Sequence, residues 1–198
     1  MAGDNQEGNL GSYGYFGELR SVSQYQDLLD NLIVEIQIQG PFDGVIGFSE
    51  GGILAATLLV EDARRPFANF KCGVFLSAAP PLDPDAIRAG IVRCLDPDAD
   101  GVTIHLPTAH IFSCEDGPAC AHNTGAGDIG NPRSPLEKLW SEADWGTPEQ
   151  VHYSLTRLCD SGEVFVHDLG HQVPGPRHGQ ALRGALRAIN RTVERAIG

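Results

Sequence analysis

The sequence predicts an α/β protein: a parallel sheet of about four strands with helices on its faces. Three observations predict it. Apolar runs of strand length recur at Val45–Phe48, Cys72–Leu76, Ala109–Ser113 and Val164–His167. Stretches with apolar residues at helical spacing separate most of them. With 198 residues, 41% of them hydrophobic and 20% charged, the chain has the size and composition of one globular domain, taken as residues 1–198. Strands that alternate with helices connect through right-handed crossovers, and these leave a parallel sheet covered on both sides.

The elements run in order along the chain. Met1 to Gly17 is rich in Gly and Asn and reads as a loop or ragged terminus. A helix is predicted from about Ser23 to Gln39, capped by Ser21 or Ser23, with Leu28, Leu29, Leu32, Ile33 and Ile36 at helical spacing. Gly40-Pro41 stops it, and the Val45–Phe48 strand comes next. After Ser49-Glu50-Gly51-Gly52 a second helix carries Ile53, Leu54, Ala55, Ala56, Leu58 and Leu59. The Cys72–Leu76 strand leads into the loop Ala78-Ala79-Pro80-Pro81, then into an acidic, irregular stretch from Pro84 to Gly101 with room for a short helix. Beyond the Ala109–Ser113 strand, residues 115–147 are dominated by Gly, Pro, Asn and charge, and read as a lid-like insertion holding Trp140 and Trp145. A helix from about Pro148 to Cys159, the Val164–His167 strand and a helix from about Arg177 to Ala196 complete the chain, the last with Leu182, Leu186, Ile189 and Val193 on one face.

Charge and cysteines narrow the function. The chain has 14 Lys and Arg against 26 Asp and Glu, a formal charge of −12. Nucleic-acid binding requires clustered cations, and an anionic membrane surface would repel this chain, so neither is expected as a partner. No apolar stretch is long enough to span a bilayer. The opening MAGDNQEGNL has neither the basic nor the apolar region of a secretory leader, which points to the cytoplasm. The five cysteines (Cys72, Cys94, Cys114, Cys120 and Cys159) are odd in number and form no CxxC pair, so neither a disulfide framework nor a zinc site is expected. Nothing in the sequence calls for a metal or a cofactor.

The motif that carries chemistry is Gly47-Phe48-Ser49-Glu50-Gly51, a G-x-S-x-G between a predicted strand and a predicted helix. In that setting the pattern makes a tight strand-to-helix turn that lifts the serine hydroxyl to the carboxyl edge of the sheet. The flanking Gly47 and Gly51 are needed because side chains there would collide with the neighbouring backbone. The Glu50 backbone N–H is then a candidate oxyanion donor. An acid and a histidine come later, in the chain order of such sites. Asp116 lies just past the Ala109–Ser113 strand, with Glu115 beside it as a competitor. His171 lies just past the Val164–His167 strand, with His167 as its competitor, although His167 sits inside the strand pattern, where its side chain packs. Ser49 would act as nucleophile, His171 as proton shuttle, and Asp116 as the group that orients the imidazole.

Three stretches now carry a resemblance. Gly40-Pro41-Phe42-Asp43-Gly44-Val45-Ile46-Gly47-Phe48-Ser49-Glu50-Gly51-Gly52, Phe75-Leu76-Ser77-Ala78-Ala79-Pro80-Pro81 and His167-Asp168-Leu169-Gly170-His171-Gln172-Val173-Pro174 resemble, in that order, the FSH family of serine hydrolases, α/β-hydrolase proteins common in fungi. The resemblance runs from about Tyr13 to the C-terminal helix. It implies an α/β-hydrolase-like sheet, a Ser49–Asp116–His171 triad, and action on an ester or thioester. Its members include carboxylesterases and thioesterases that release polyketides in fungal secondary metabolism. Trp140 and Trp145 would form a wall for the acyl group or anchor the insertion to the core.

Two departures shape further expectations. The family pattern has Gln, Gly, Ala after the serine, where this chain has Glu50, Gly51, Gly52. A carboxylate there opposes a developing oxyanion unless it points away or is protonated. The pattern also opens with a strand ending in His-Gly that flanks the nucleophile strand and supplies a second oxyanion donor, and Met1–Gly17 is too short to hold it. The expected fold is thus N-terminally shortened. Loss of one such donor costs about 10²–10³ in rate. The Val45–Phe48 strand becomes an exposed edge inviting a homodimer. The alternative function is a shortened, non-hydrolytic member that binds a hydrophobic metabolite, or that directs a cyclisation or isomerisation with His171 or Glu50 as acid or base.

Overall fold

The computed structural model describes residues 16, 19–113 and 148–198. Among the described residues ten elements succeed one another: α1 (Val22–Gln39), β1 (Gly44–Phe48), α2 (Glu50–Arg64), β2 (Cys72–Leu76), α3 (Pro84–Arg88), α4 (Pro97–Asp100), β3 (Ile104–Ser113), α5 (Pro148–Arg157), β4 (Cys159–His167) and α6 (Gly179–Ile197). The four strands form one parallel sheet in the order β1-β2-β3-β4, the α/β architecture the alternating pattern predicts.

Local chemistry sets the element ends. Ser21 caps α1, and its N–H donates to the Gln24 side chain at 3.1 Å. Asp83 and Asp96 accept the N–H groups of Asp85 and Asp98, and each is followed by a proline at the first helical position, so α3 and α4 are short capped turns. Helix α5 stops at Arg157 rather than Cys159, because Cys159 already pairs with Ile104 as the first residue of β4. β3 and β4 are longer than their apolar runs suggest. Their early halves contain Pro107, where the register shifts, and the polar Asp160-Ser161-Gly162-Glu163, so neither half reads as a strand from hydrophobicity.

Alternate residues of the strands face two layers. Val74, Leu76, Ala109 and Ile111 pack with Ala185 and Ile189 of α6. On the other face Phe75 joins Ala55, Ala56, Leu59 and Val60 of α2 with Leu155 and Leu158 at the end of α5. Both layers close tightly. A Cβ on Gly184 of α6 would sit 2.1 Å from the Phe165 ring, and one on Gly73 would sit 2.6 Å from Leu59. Cys72 and Cys159 are buried among these apolar groups, and burial pushes the Cys159 thiol up to about 12.

Buried carboxylates tie α2 to α3 and to the turn before β2. Glu61 receives paired hydrogen bonds from Arg65 and from Arg88 of α3. Asp62 accepts the backbone N–H groups of Phe67, Ala68, Asn69 and Phe70, at 2.7 to 3.2 Å, and so shapes the turn into β2. Burial alone would raise both carboxyls, but these donors outweigh it and hold them below the ordinary carboxylate range.

At the β1 edge, Ile46 is 63% exposed and Phe48 is partly so. Among the described residues β1 pairs on one side only, with β2. No described helix is long and apolar enough to cross a membrane.

Candidate active site

β1 ends at Phe48 and α2 starts at Glu50, so the reversal of direction falls on Ser49 alone. Its backbone sits at φ 54° and ψ −123°, a conformation that a side-chain-bearing residue holds only when its surroundings fix it. Three hydrogen bonds do so. The Ser49 N–H donates to the Leu76 carbonyl at 2.9 Å, and the Ser49 carbonyl accepts from Gly52 and Ile53 at 2.9 and 3.2 Å.

The glycines explain why the chain can fold this way. A Cβ on Gly47 would lie 2.1 Å from the Gly51 carbonyl oxygen and 2.6 Å from Gly52 Cα. Gly51 therefore takes part through its backbone, against which Gly47 rests. Gly52 is a further requirement that the five-residue motif does not express: a Cβ there would come within 2.5 Å of Ala78 Cβ.

The Ser49 hydroxyl makes no cap hydrogen bond to its own helix. Instead Oγ lies 3.0 Å from Nε2 of His171, which arrives from 122 residues later in the chain. For His171 to accept the hydroxyl proton, Nε2 must carry the lone pair and Nδ1 the hydrogen. The His171 ring centre is 5.0 Å from that of Phe48, so the residue before the nucleophile walls one side of the imidazole.

The loop that delivers His171 is itself braced. His167, its competitor by sequence, is buried at the last position of β4, and its Nδ1 accepts the Leu169 N–H at 3.2 Å. Gly170 then takes φ 63°, in the left-handed region that glycine favours, and its carbonyl accepts the Gln172 N–H. His167 thus shapes the turn, and His171 meets the serine.

Glu50 is the first residue of α2, so its backbone N–H is one of the helix-start donors that no carbonyl of the helix can satisfy. Its carboxylate accepts the Phe16 N–H at 3.3 Å. Phe16 is buried and stacks on Tyr25 of α1. The Glu50 side chain is therefore engaged with the incoming N-terminal segment.

Asp116, its competitor Glu115, Trp140 and Trp145 lie outside the described residues. β3 ends at Ser113, which pairs with His167, so the chain leaves β3 level with the end of β4.

Two further histidines, His110 and His152, are buried. His110 is on β3, where Nε2 meets the Thr108 hydroxyl at 3.0 Å; burial first, then the nearby His152, pulls it down to about 3, so it is neutral. His152 is on α5 and meets the Ala78 carbonyl. A lone histidine inside a strand or helix pattern carries no sequence signal for either role.

Comparison with known proteins places the chain in one family. The model of a serine hydrolase family, FSH1, matches residues 3–180. The esterase FPY3 of Fusarium mangiferae is 35% identical over 174 residues, which cover 85% of this chain and 65% of that protein. The esterase alnB of Emericella nidulans is 30% identical over 212 residues, covering 85% of this chain and 72% of its own. The crystal structure of a Bacillus cereus carboxylesterase is 17% identical with a TM-score of 0.34, over 84% of this chain and 59% of its own. With a nucleophile-type turn, a histidine in contact with its serine and a family match over most of its length, the chain belongs to the FSH1 serine hydrolase family.

Proposed function

We propose that this chain hydrolyses an ester or thioester through an acyl-enzyme on Ser49. The observation that carries the reading is the 3.0 Å approach of His171 Nε2 to the hydroxyl of a serine held on a strained turn. Ser49 Oγ attacks the acyl carbonyl carbon while its proton passes to His171. The carbonyl π electrons move onto oxygen, beside the Glu50 N–H and the positive end of α2. As the tetrahedral species collapses, the bond to the alcohol or thiol breaks and His171 protonates that leaving group. Water then gives a proton to His171 and attacks the acyl carbon, and the proton returns to Ser49 as the acid departs. Asp116 is assigned the role of holding the imidazole, from its place after β3, and Trp140 and Trp145 that of walling the acyl group.

Fungal esterases among the relatives, and the three sequence stretches shared with the family, favour an acyl substrate from secondary metabolism, with polyketide esters and thioesters first. The test is a fluorophosphonate probe with peptide mapping. The reading requires stoichiometric modification of Ser49 that Ser49→Ala abolishes. A folded protein that binds hydrophobic ligands yet stays unlabelled contradicts it and favours binding or isomerisation without hydrolysis.

The β1 edge extends the proposal to a second copy of the chain. Gly44–Phe48 contains no charged residue, and natural sheet edges left open are usually guarded by charge. Antiparallel pairing of two β1 strands would place the exposed Ile46 residues of the two copies on a common surface.

A further inference from the structure

Ser49 is not the only residue near the site with a strained backbone. Ser77, the first residue after β2, takes φ 45° and is buried. The two strained residues are coupled, because the carbonyl of Leu76, directly before Ser77, receives the Ser49 N–H. A relaxation of Ser77 toward commoner backbone angles would swing the Leu76 peptide and loosen the nucleophile turn with it. Strain of this kind persists only where neighbouring groups over-determine it.

The neighbours can be named. On one side the Ser77 N–H donates to the Ile111 carbonyl of β3 at 2.8 Å. On the other, the Ala78 carbonyl lies 3.0 Å from Nδ1 of His152 on α5. A carbonyl can only accept, so Nδ1 must carry a proton and donate it. Ala78 also touches the nucleophile turn directly, since its Cβ fills the space that a side chain on Gly52 would occupy, and Gly52 donates to the Ser49 carbonyl. His152 is 2% exposed and stacks on Phe112 of β3 with ring centres 4.9 Å apart, so its ring has little freedom to turn.

We propose that His152 is a positioning residue for the nucleophile: its Nδ1–H pins the Leu76–Ser77–Ala78 turn, and that turn holds Ser49. The inference deepens the acyl-transfer reading and rests on it. It also gives α5 a place in the reaction although that helix carries no residue of the triad.

The test separates the N–H from the ring. His152→Phe keeps the ring and its stack on Phe112 but removes the donor. His152→Asn shortens the side chain and removes the stack, but places an amide N–H close to the position of Nδ1. His152→Gln carries the same amide one carbon too far out, and serves as the donor-displaced variant if His152→Phe fails to fold. Each is measured for the rate of fluorophosphonate labelling at Ser49, for kcat and KM on an activated acyl ester, and for melting temperature. A displacement near 1 Å far from the reacting atoms lowers rates by up to about 10²-fold, so His152→Phe and His152→Gln should label about 10–10² times more slowly, with kcat reduced alike and KM nearly unchanged. His152→Asn should recover most of the labelling rate even where its melting temperature is lower than that of His152→Phe. Rates that follow the ring, with His152→Phe like wild type and His152→Asn slow, overturn the proposal, as do rates that merely follow melting temperature. Wild-type protein that never labels at Ser49 overturns the acyl-transfer reading itself, an outcome distinct from the other two.

Discussion

The carbonyl oxygen of Gly51 stands where a side chain on Gly47 would have to go, 2.1 Å from its Cβ position. The clash is with the backbone of Gly51 and Gly52, so it cannot be relieved by turning a side chain. Gly47→Ala must push β1 and α2 apart. Overpacking of this kind costs roughly 1–3 kcal/mol and displaces the serine. The expected result is a lower melting temperature and at least about a 10²-fold loss of labelling rate at Ser49. Wild-type labelling in Gly47→Ala would show that the turn is not this close.

Among the described residues His171 is the histidine placed against the Ser49 hydroxyl, whereas His167 braces the loop. Replacing each therefore separates chemistry from support. His171→Ala should lower kcat by about 10⁴–10⁶, as removal of a catalytic histidine does elsewhere, with little change in melting temperature. His167→Ala should lower stability and reduce activity far less. The reverse ranking would reassign the base.

Stability is expected to fall in acid through carboxylates held in their charged form, the buried Glu61 and Asp62 among them. The folded-state carboxyls of these two titrate below the ordinary values of 4.5 and 3.8, because bound arginines and backbone N–H groups favour the charged form more than burial disfavours it. A depressed folded pKa means that the unfolded chain takes up protons first as pH falls. The stabilisation is thus complete above about pH 5–6 and is lost progressively below the ordinary carboxylate values. Melting temperature measured from pH 7 to pH 3 should fall on the acid side, and Asp62→Ala, which strands four backbone donors, should flatten that fall while lowering stability by about 2–4 kcal/mol at pH 7. A melting temperature independent of pH over that range would contradict the assignment.

If the β1 edge pairs with a second copy, wild-type protein at micromolar concentration should elute from gel filtration as a dimer. Ile46→Lys, which puts a charge on the exposed strand position, should elute as a monomer. A wild-type monomer at those concentrations rules the pairing out.

Much of this architecture was legible because burial writes itself as hydrophobicity. The runs at Val45–Phe48 and Cys72–Leu76 coincide with β1 and β2, since parallel strands have little room for polar residues. The first halves of β3 and β4 were hidden by Pro107 and by the polar stretch from Asp160 to Glu163, which ladder hydrogen bonds hold in the sheet where hydrophobicity does not. The short helices α3 and α4 did carry a signal, Asp-Pro in both Asp83-Pro84 and Asp96-Pro97, which apolar periodicity does not register. At the site, Ser49, Gly47 and His171 could be found because motif and chain order encode them. Gly52, Ser77 and His152 could not, because their roles depend on how a loop and a helix distant in sequence come to rest against the turn.

If Ser49 is a nucleophile activated by His171, a fluorophosphonate must form a covalent adduct with it. Intact mass should rise by one probe adduct per chain, peptide mapping should place it on Ser49, and both Ser49→Ala and His171→Ala should abolish it or slow it by orders of magnitude. A folded wild-type protein that gains no adduct, or gains one that survives Ser49→Ala, rules out Ser49 as the nucleophile.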